Sequence, residues 1–315
     1  MIGLMIRRLL WLFPSLLFLS IGVFWLMHIL PGSPAEAYLL NSQIPPTEEA
    51  VDTVTKDLGL DRPLYEQYWD WFTSAWQLDF GTSFYTGDSV VEEVFYYFPP
   101  TFELTIGAFI VTMGMSVFLG TLAVVYQGRW FDWFSRLFSV GGSALPTFWL
   151  GFLLVYFVSY QFGWLPSGGR GDWHHIILPV LTLAIPYISL YSRLFRTSLL
   201  EVRERSYVTY ARARGLREMF LFRKHILRHA LLPLFTVSGL AFGYLLAGTV
   251  IVESVFSWPG MGRYMVTAII NRDYPVIQFY IVFMGFIFII VNMLVDVLQA
   301  WVDPRLRRQG RYRHD

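Results

Sequence analysis

No cysteine occurs in the 315 residues, so disulfides, thiolate metal centres and cysteine nucleophiles are excluded. Lysine is almost missing as well. Only Lys56 and Lys224 are present, and neither sits in the G-x-x-x-x-G-K-[ST] setting of a phosphate-binding loop. Neither a G-x-S-x-G elbow nor an H-E-x-x-H metal motif is found. The adjacent acids Glu48 with Glu49 and Glu92 with Glu93 read as solvated pairs, so no catalytic residue and no cofactor is expected. Charge is scarce too, at 15% against roughly a quarter in soluble domains. With 55% hydrophobic residues and a mean hydropathy of +0.47, the composition is that of an integral membrane protein.

Six stretches are apolar enough to cross roughly 30 Å of hydrocarbon: Leu9 to Leu30, Thr105 to Tyr126, Phe134 to Phe162, Ile176 to Leu194, Leu231 to Val252 and Val276 to Ala300. Pro14, Pro146, Pro179 and Pro186 fall inside them, which membrane helices tolerate when neighbours satisfy the freed carbonyls. Arg7 and Arg8 precede the first stretch as in a signal peptide. The run is too long for one and lacks a small-residue cleavage site, so a retained helix is expected.

Net charge is only +1, but the charges are segregated. The odd-numbered loops hold just Lys56, Arg62, Arg170, Arg263 and Arg272 of the 24 basic residues, which predicts that both termini are cytoplasmic. The expected organisation is all-α and polytopic. Residues 1–30 form an N-terminal transmembrane helix, 31–99 an extracytoplasmic loop subdomain, and 100–302 a transmembrane core carrying a basic cytoplasmic loop at 197–228. Residues 303–315 form a basic tail, where Arg305, Arg307, Arg308, Arg311 and Arg313 serve as an orientation anchor. The 31–99 loop is acidic, and its Tyr65, Tyr68, Trp69, Phe72 and Trp76 recur at helical spacing; packing is the ordinary reading, contact with another protein the sharper one.

Polar groups inside the spans, such as Thr105, Thr112, Ser116, Ser143, Thr147, Thr182, Ser189, Thr236, Ser238 and Thr249, suit either a conduction path or helix-to-helix hydrogen bonds. Gly239 and Gly243 form a small-xxx-small pair that favours close helix packing. Asn292 and Asp296 lie in the last span. His28, His174 and His175 all fall near the predicted outer ends of spans. Imidazole suits divalent transition metals, yet adjacent helical histidines diverge by about 100°, and no tight metal cage is recognisable. Hydrogen bonding at a helix end is therefore expected of His174 and His175. His225 and His229 stand one turn apart in the basic loop.

That loop contains Ala211-Arg-Ala-Arg-Gly215, followed by His225-Ile-Leu-Arg-His-Ala-Leu-Leu-Pro233. It resembles the coupling loop of bacterial ABC importer permeases of the dipeptide, oligopeptide and nickel branch. The resemblance extends through Pro31-Gly-Ser-Pro-Ala35, Leu58-Gly-Leu-Asp-Arg-Pro-Leu-Tyr65, Asp79-Phe-Gly-Thr-Ser-Phe84, Gly163-Trp-Leu-Pro166, His175-Ile-Ile-Leu-Pro179, Glu253-Ser-Val-Phe-Ser-Trp-Pro-Gly-Met-Gly-Arg263 and Asp303-Pro-Arg305. The run Asn271-Arg-Asp-Tyr-Pro-Val-Ile-Gln278 looks most like nickel-permease members. One departure concerns the glutamate that the general importer pattern carries six positions before the glycine. Here that place is Thr209, followed by Tyr210.

The resemblance implies a type I ABC importer permease subunit of the bacterial inner membrane. It also implies a second, similar permease, two ATP-binding subunits or domains, and an extracytoplasmic solute-binding protein as partners. Nickel or a metal chelate is the expected cargo, with a dipeptide or oligopeptide as the alternative. Ala211, Ala213, Arg214, Gly215 and Leu216 are the expected ATPase contacts, since small residues let a short helix approach a cleft closely and Gly215 allows the chain to reverse. The surrounding arginines, Arg193, Arg196, Arg203, Arg205, Arg212, Arg217, Arg223 and Arg228, would make a positive face. A competitor from another class, an ion-gradient-driven transporter, would need intramembrane acids, and only Asp296 approaches that description.

Overall fold

The computed structural model describes the backbone of residues 2–29 and 32–302, and the side chains of 10–29, 32–295 and 297. The basic tail and the side chain of Asp296 lie outside the described residues. Among the described residues, thirteen α-helices run in order: α1 (Ile2–Ile29), α2 (Pro34–Asn41), α3 (Glu48–Asp57), α4 (Leu64–Trp76), α5 (Val90–Val125), α6 (Trp130–Ala144), α7 (Thr147–Leu154), α8 (Ile177–Arg203), α9 (Ser206–Ala213), α10 (Glu218–Leu221), α11 (Leu227–Val255), α12 (Met261–Ile270) and α13 (Tyr274–Val302). Wide π-turns extend α7 over Val155–Gln161 and join α10 to α11 over Phe222–Ile226. Among the described residues, five helical stretches are long and apolar enough to cross a membrane; counting the bent pair α6 and α7 as one span brings the number to six.

That pair corrects the third expected span. The stretch is not one helix: α6 and α7 meet at 109°. The cause is Pro146, whose ring disfavours helical geometry in the residue before it, so Leu145 is extended at φ −79°, ψ 129°. The second expected span also differs. Helix α5 begins at Val90, well before Thr105, and passes through Pro99 and Pro100. The extension persists because Val90 and Val94 are fully buried against Met261, Tyr264 and Ile277, and because Thr101 Oγ1 accepts the Met261 N–H at 2.7 Å. Pro179 lies in the first turn of α8, where a missing N–H costs nothing.

The described chain falls into two compact units, one comprising residues 2–101 and 259–290, the other 102–258 and 291 onward. In the first, the loop after α1 is ordered into α2, α3 and α4. Ser33 caps α2 by accepting the Glu36 N–H, with Pro34 at the first helical position. Thr47 caps α3, which carries Glu48 and Glu49 in its first turn and Lys56 in its last, the arrangement its dipole favours. Asp273 fastens the segment before α5: its carboxylate accepts from Ser83 Oγ at 2.5 Å and from the Phe84 and Tyr85 amides at 3.1 and 3.2 Å.

In the second unit, α8 is central, packed on α6, α7 and α11. Its buried face includes Leu178, Leu183, Ile188, Phe195, Leu199 and Val202. Small residues set the approach distances. A Cβ on Gly142 would stand 2.0 Å from Ser189 Oγ, so α6 and α8 touch where only glycine fits. Gly239 similarly meets Asn292 and Val295 of α13. The polar groups weighed as a conduction path mostly serve their own helices. Ser143, Thr182, Ser189, Thr236, Ser238 and Thr249 each donate to a carbonyl three or four residues earlier.

Candidate functional site

The basic loop is built outward from the core of the second unit. Helix α8 delivers the chain at Arg203, and after a short turn α9 sets its Val208 side chain, fully buried, among Phe195, Leu199, Ile226 and Ala230. Ile226 does the same from the return arm, so both ends of the loop are rooted in packed side chains. Between them α9 ends in a Schellman turn: the Gly215 N–H donates to the Arg212 carbonyl at 2.9 Å, and the Leu216 N–H to the Ala211 carbonyl at 3.4 Å. Gly215 has φ +78°, the left-handed value this turn requires.

The five expected contact residues therefore sit on one capped helix end. Ala211 is half-buried against the loop's root, whereas Ala213, Arg214, Gly215 and Leu216 are exposed. Apolar side chains that motif reading passed over lie exposed on the same loop: Tyr207, Tyr210, Met219 and Phe220. Arg214 lies over the Tyr210 ring at 5.9 Å and Lys224 over Phe220 at 5.1 Å. Arg212 pairs with Glu218, bracing the turn. The result is a short, stiffly mounted projection whose tip is apolar and small, and whose flanks are cationic.

The basic face is narrower than the sequence suggests. Arg196 is only 19% exposed, and its guanidinium donates to the fully buried carboxylate of Asp132 at 2.9 and 3.2 Å. Arg136 and the Gly128 amide also donate to Asp132, at 2.7 and 3.1 Å. Sequence reading missed Asp132 because its partner lies far along the chain. The only local clue was an Asp–Arg pair at i, i+4.

His174 and His175 are brought together by a residue that motif reading overlooked. Asp172 accepts from His174 Nδ1 at 3.0 Å and from His175 Nδ1 at 2.8 Å. This is the hydrogen-bonded arrangement expected of them. Nearby, the Gly169 N–H donates to the Phe256 carbonyl at 2.7 Å, and Arg170 pairs with Glu103 at 2.9 Å. The two imidazole contacts hold the Asp172 carboxyl down at about 2. A depressed carboxyl contributes stability fully above its ordinary 3.8 and loses it as pH falls through about 2. Thermal unfolding of Asp172→Asn beside the parent should show a gap at pH 5 that closes toward pH 2. A gap independent of pH would contradict this.

The family described as binding-protein-dependent transport system inner membrane component matches residues 116–308. The N-terminal family of the same transport systems matches residues 1–105. The glutathione transport system permease protein GsiC of Escherichia coli (strain K12) is 40% identical over 307 residues, covering 98% of this chain and 99% of that protein. The same figures hold for GsiC of Shigella dysenteriae serotype 1 (strain Sd197). Among solved structures, an inward-facing form of the MetNI methionine ABC transporter superposes with a TM-score of 0.53 at 17% identity, over 65% of this chain and 93% of that one. An amino acid ABC transporter solved with histidines gives 0.52 at 18%, over 68% and 94%. These structures establish the all-α type I importer permease fold. The chain therefore belongs to the binding-protein-dependent transport system inner membrane component family: it is a multi-pass bacterial inner-membrane permease subunit of an ABC importer of the peptide and nickel branch, a transport component rather than an enzyme.

Proposed function

We propose that this subunit passes a short peptide of the glutathione class across the inner membrane, with both termini in the cytoplasm. A second permease, two ATP-binding subunits or domains and an extracytoplasmic binding protein would complete the transporter, as membership of the family implies. The observation that carries the substrate reading is the 40% identity, over nearly the whole of both chains, to permeases of glutathione transport. It favours the peptide alternative over nickel or a metal chelate, which rested on the short run Asn271 to Gln278. Cells expressing the complete transporter should take up labelled glutathione or a dipeptide and gain no uptake of labelled nickel. Nickel uptake that unlabelled peptide does not compete would restore the metal reading. Persistence of uptake when the proton gradient is collapsed and ATP maintained would separate the transporter from an ion-gradient device.

The loop from Ser206 to Leu221 is, on this reading, the cytoplasmic docking element for the ATPase. Ala213, Gly215 and Leu216 would enter its cleft, and Arg214 would meet its rim. The geometry supports this in two ways. A capped helix end exposing small residues lets another backbone approach, and burial of Val208 and Ile226 means that force applied at the tip reaches α8 and α11 as whole helices. Thr209, exposed where the general importer pattern has a glutamate, leaves the contact without an acidic member from this strand of the motif.

A further inference from the structure

Helix α4 has three distinct faces. At 100° per residue, Gln67, Tyr68 and Trp71 share one, and Glu66, Asp70 and Ser74 another. Tyr65, Trp69, Phe72 and Trp76 fall on a third arc about 60° wide. The first face is packed against α1: Tyr68 bonds Ser20 at 2.9 Å and meets the Phe24 ring, and Gln67 Oε1 lies 3.3 Å from His28 Nε2. The polar face borders a cavity of about 270 Å³ lined by Arg62, Gln67, Asp70, Ser74 and Asp79. There Arg62 pairs with Asp70 at 2.5 Å. Among the described residues the third face is covered only at its end, where Trp76 meets the Phe13 ring: Tyr65 is 73%, Trp69 63% and Trp76 71% exposed. Phe72 links Trp69 and Trp76 into a ladder of rings 6.0 and 6.4 Å apart.

The register of α4 on α1 fixes its depth. Gln67 lies at His28, Tyr68 at Phe24 and Ser20, and Trp76 at Phe13, 6.0 Å between ring centroids. The two helices are thus antiparallel. From Gln67 to Trp76 α4 advances nine residues, so it lies beside α1 over about 13.5 Å at 1.5 Å per residue. His28 and Phe13 both lie inside the apolar run Leu10–Ile29, which is long enough to cross the bilayer. Such a position sets the outward surface of α4 level with the apolar run of α1.

We propose that α4 is lodged in the lipid bilayer beside α1, and that its Tyr65, Trp69, Phe72 and Trp76 stripe contacts lipid acyl chains rather than a binding protein. The separation of its free surface supports this occupant. Asp70 faces away from the stripe and pairs with Arg62, Glu66 meets the stripe at its first residue by accepting from the Tyr65 hydroxyl at 3.1 Å, and the stripe continues the exposed apolar surface of α1, where Phe13 and Phe18 stand out. Beyond Tyr65, the side chains of Trp69, Phe72 and Trp76 have no acid among them, which is what a lipid-facing stripe requires.

Because the chain lacks cysteine, a single nitroxide reports one position in the assembled transporter, with cysteine-free partner subunits, reconstituted in liposomes. Spin labels on Trp69→Cys and Trp76→Cys should collide several-fold more with oxygen, which partitions into lipid, than with water-soluble chromium oxalate. Thr53→Cys, on the exposed face of α3, should show the reverse. Retained uptake in either variant certifies assembly. Chromium oxalate dominating at both positions would place the stripe in water, and low collision rates with both relaxants would place it under a protein partner; either result overturns the proposal.

Discussion

Replacing Gly215 with valine is expected to cut substrate uptake at least about tenfold while the chain still inserts and assembles. The reason is conformational. Gly215 sits at φ +78°, and a Cβ built there meets nothing within 4 Å, so the substitution creates no clash. What it changes is the backbone. A left-handed conformation costs an ordinary L-residue about 1–2 kcal/mol, which shifts the population of the turn by roughly tenfold, and β-branching adds to this. The Schellman hydrogen bonds from Gly215 and Leu216 would open, and the tip formed by Ala213 to Leu216 would lose its shape. Asparagine tolerates the left-handed region, so Gly215→Asn should keep most of the uptake. The measurement pairs uptake with ATP hydrolysis by the reconstituted transporter. Full substrate-stimulated transport in the valine variant would remove this turn from the coupling path.

Asp132→Asn is expected to destabilise the second unit strongly, by about 3–5 kcal/mol by analogy with breaking other buried ion pairs. Its carboxylate is fully buried and receives hydrogen bonds from Arg196, Arg136 and the Gly128 amide. Arg196, at 19% exposure, has little water to replace that partner. An asparagine keeps the volume but loses the charge, and its amide N–H₂ faces groups that are themselves donors. The temperature of unfolding in detergent should drop clearly. Adding Arg196→Met should recover a substantial part of the loss, because an unpaired buried cation costs more than an apolar side chain in its place. A single variant that unfolds with the parent would show that the cluster does not hold α6 to α8.

How much of this was readable in advance depended on distance along the chain. Apolar runs of about 20 residues and the sparse lysines and arginines are local facts, so the spans other than the early start of the second and the break in the third, and the basic loop with its terminal glycine, emerge from a simple reading. The break at Pro146 was visible as a proline but not as a 109° bend, since many membrane prolines are accommodated within a helix, as Pro14, Pro186 and Pro233 are here. Arg196 looked like one more member of a positive face, because nothing within a few residues of it announces Asp132, 64 positions earlier. Asp172 stands only two and three residues from the histidines it joins, but a single carboxylate beside a histidine pair has no spacing that marks it as their shared acceptor.

The aromatic run of α4 shows the same division within a single helix. Spacing assigned Tyr65, Tyr68, Trp69, Phe72 and Trp76 to one stripe, whereas packing on α1 takes Tyr68 and leaves the other four on an open arc. Composition and periodicity by themselves determined that this protein crosses a membrane, which stretches are apolar enough to do so, and which loop is short, basic and closed by a glycine. Those properties follow from what each stretch prefers as solvent. Which buried acid holds which arginine, where a helix breaks, and which face of an amphipathic helix is free were decided only when distant segments packed together, because each depends on a partner that local sequence does not name.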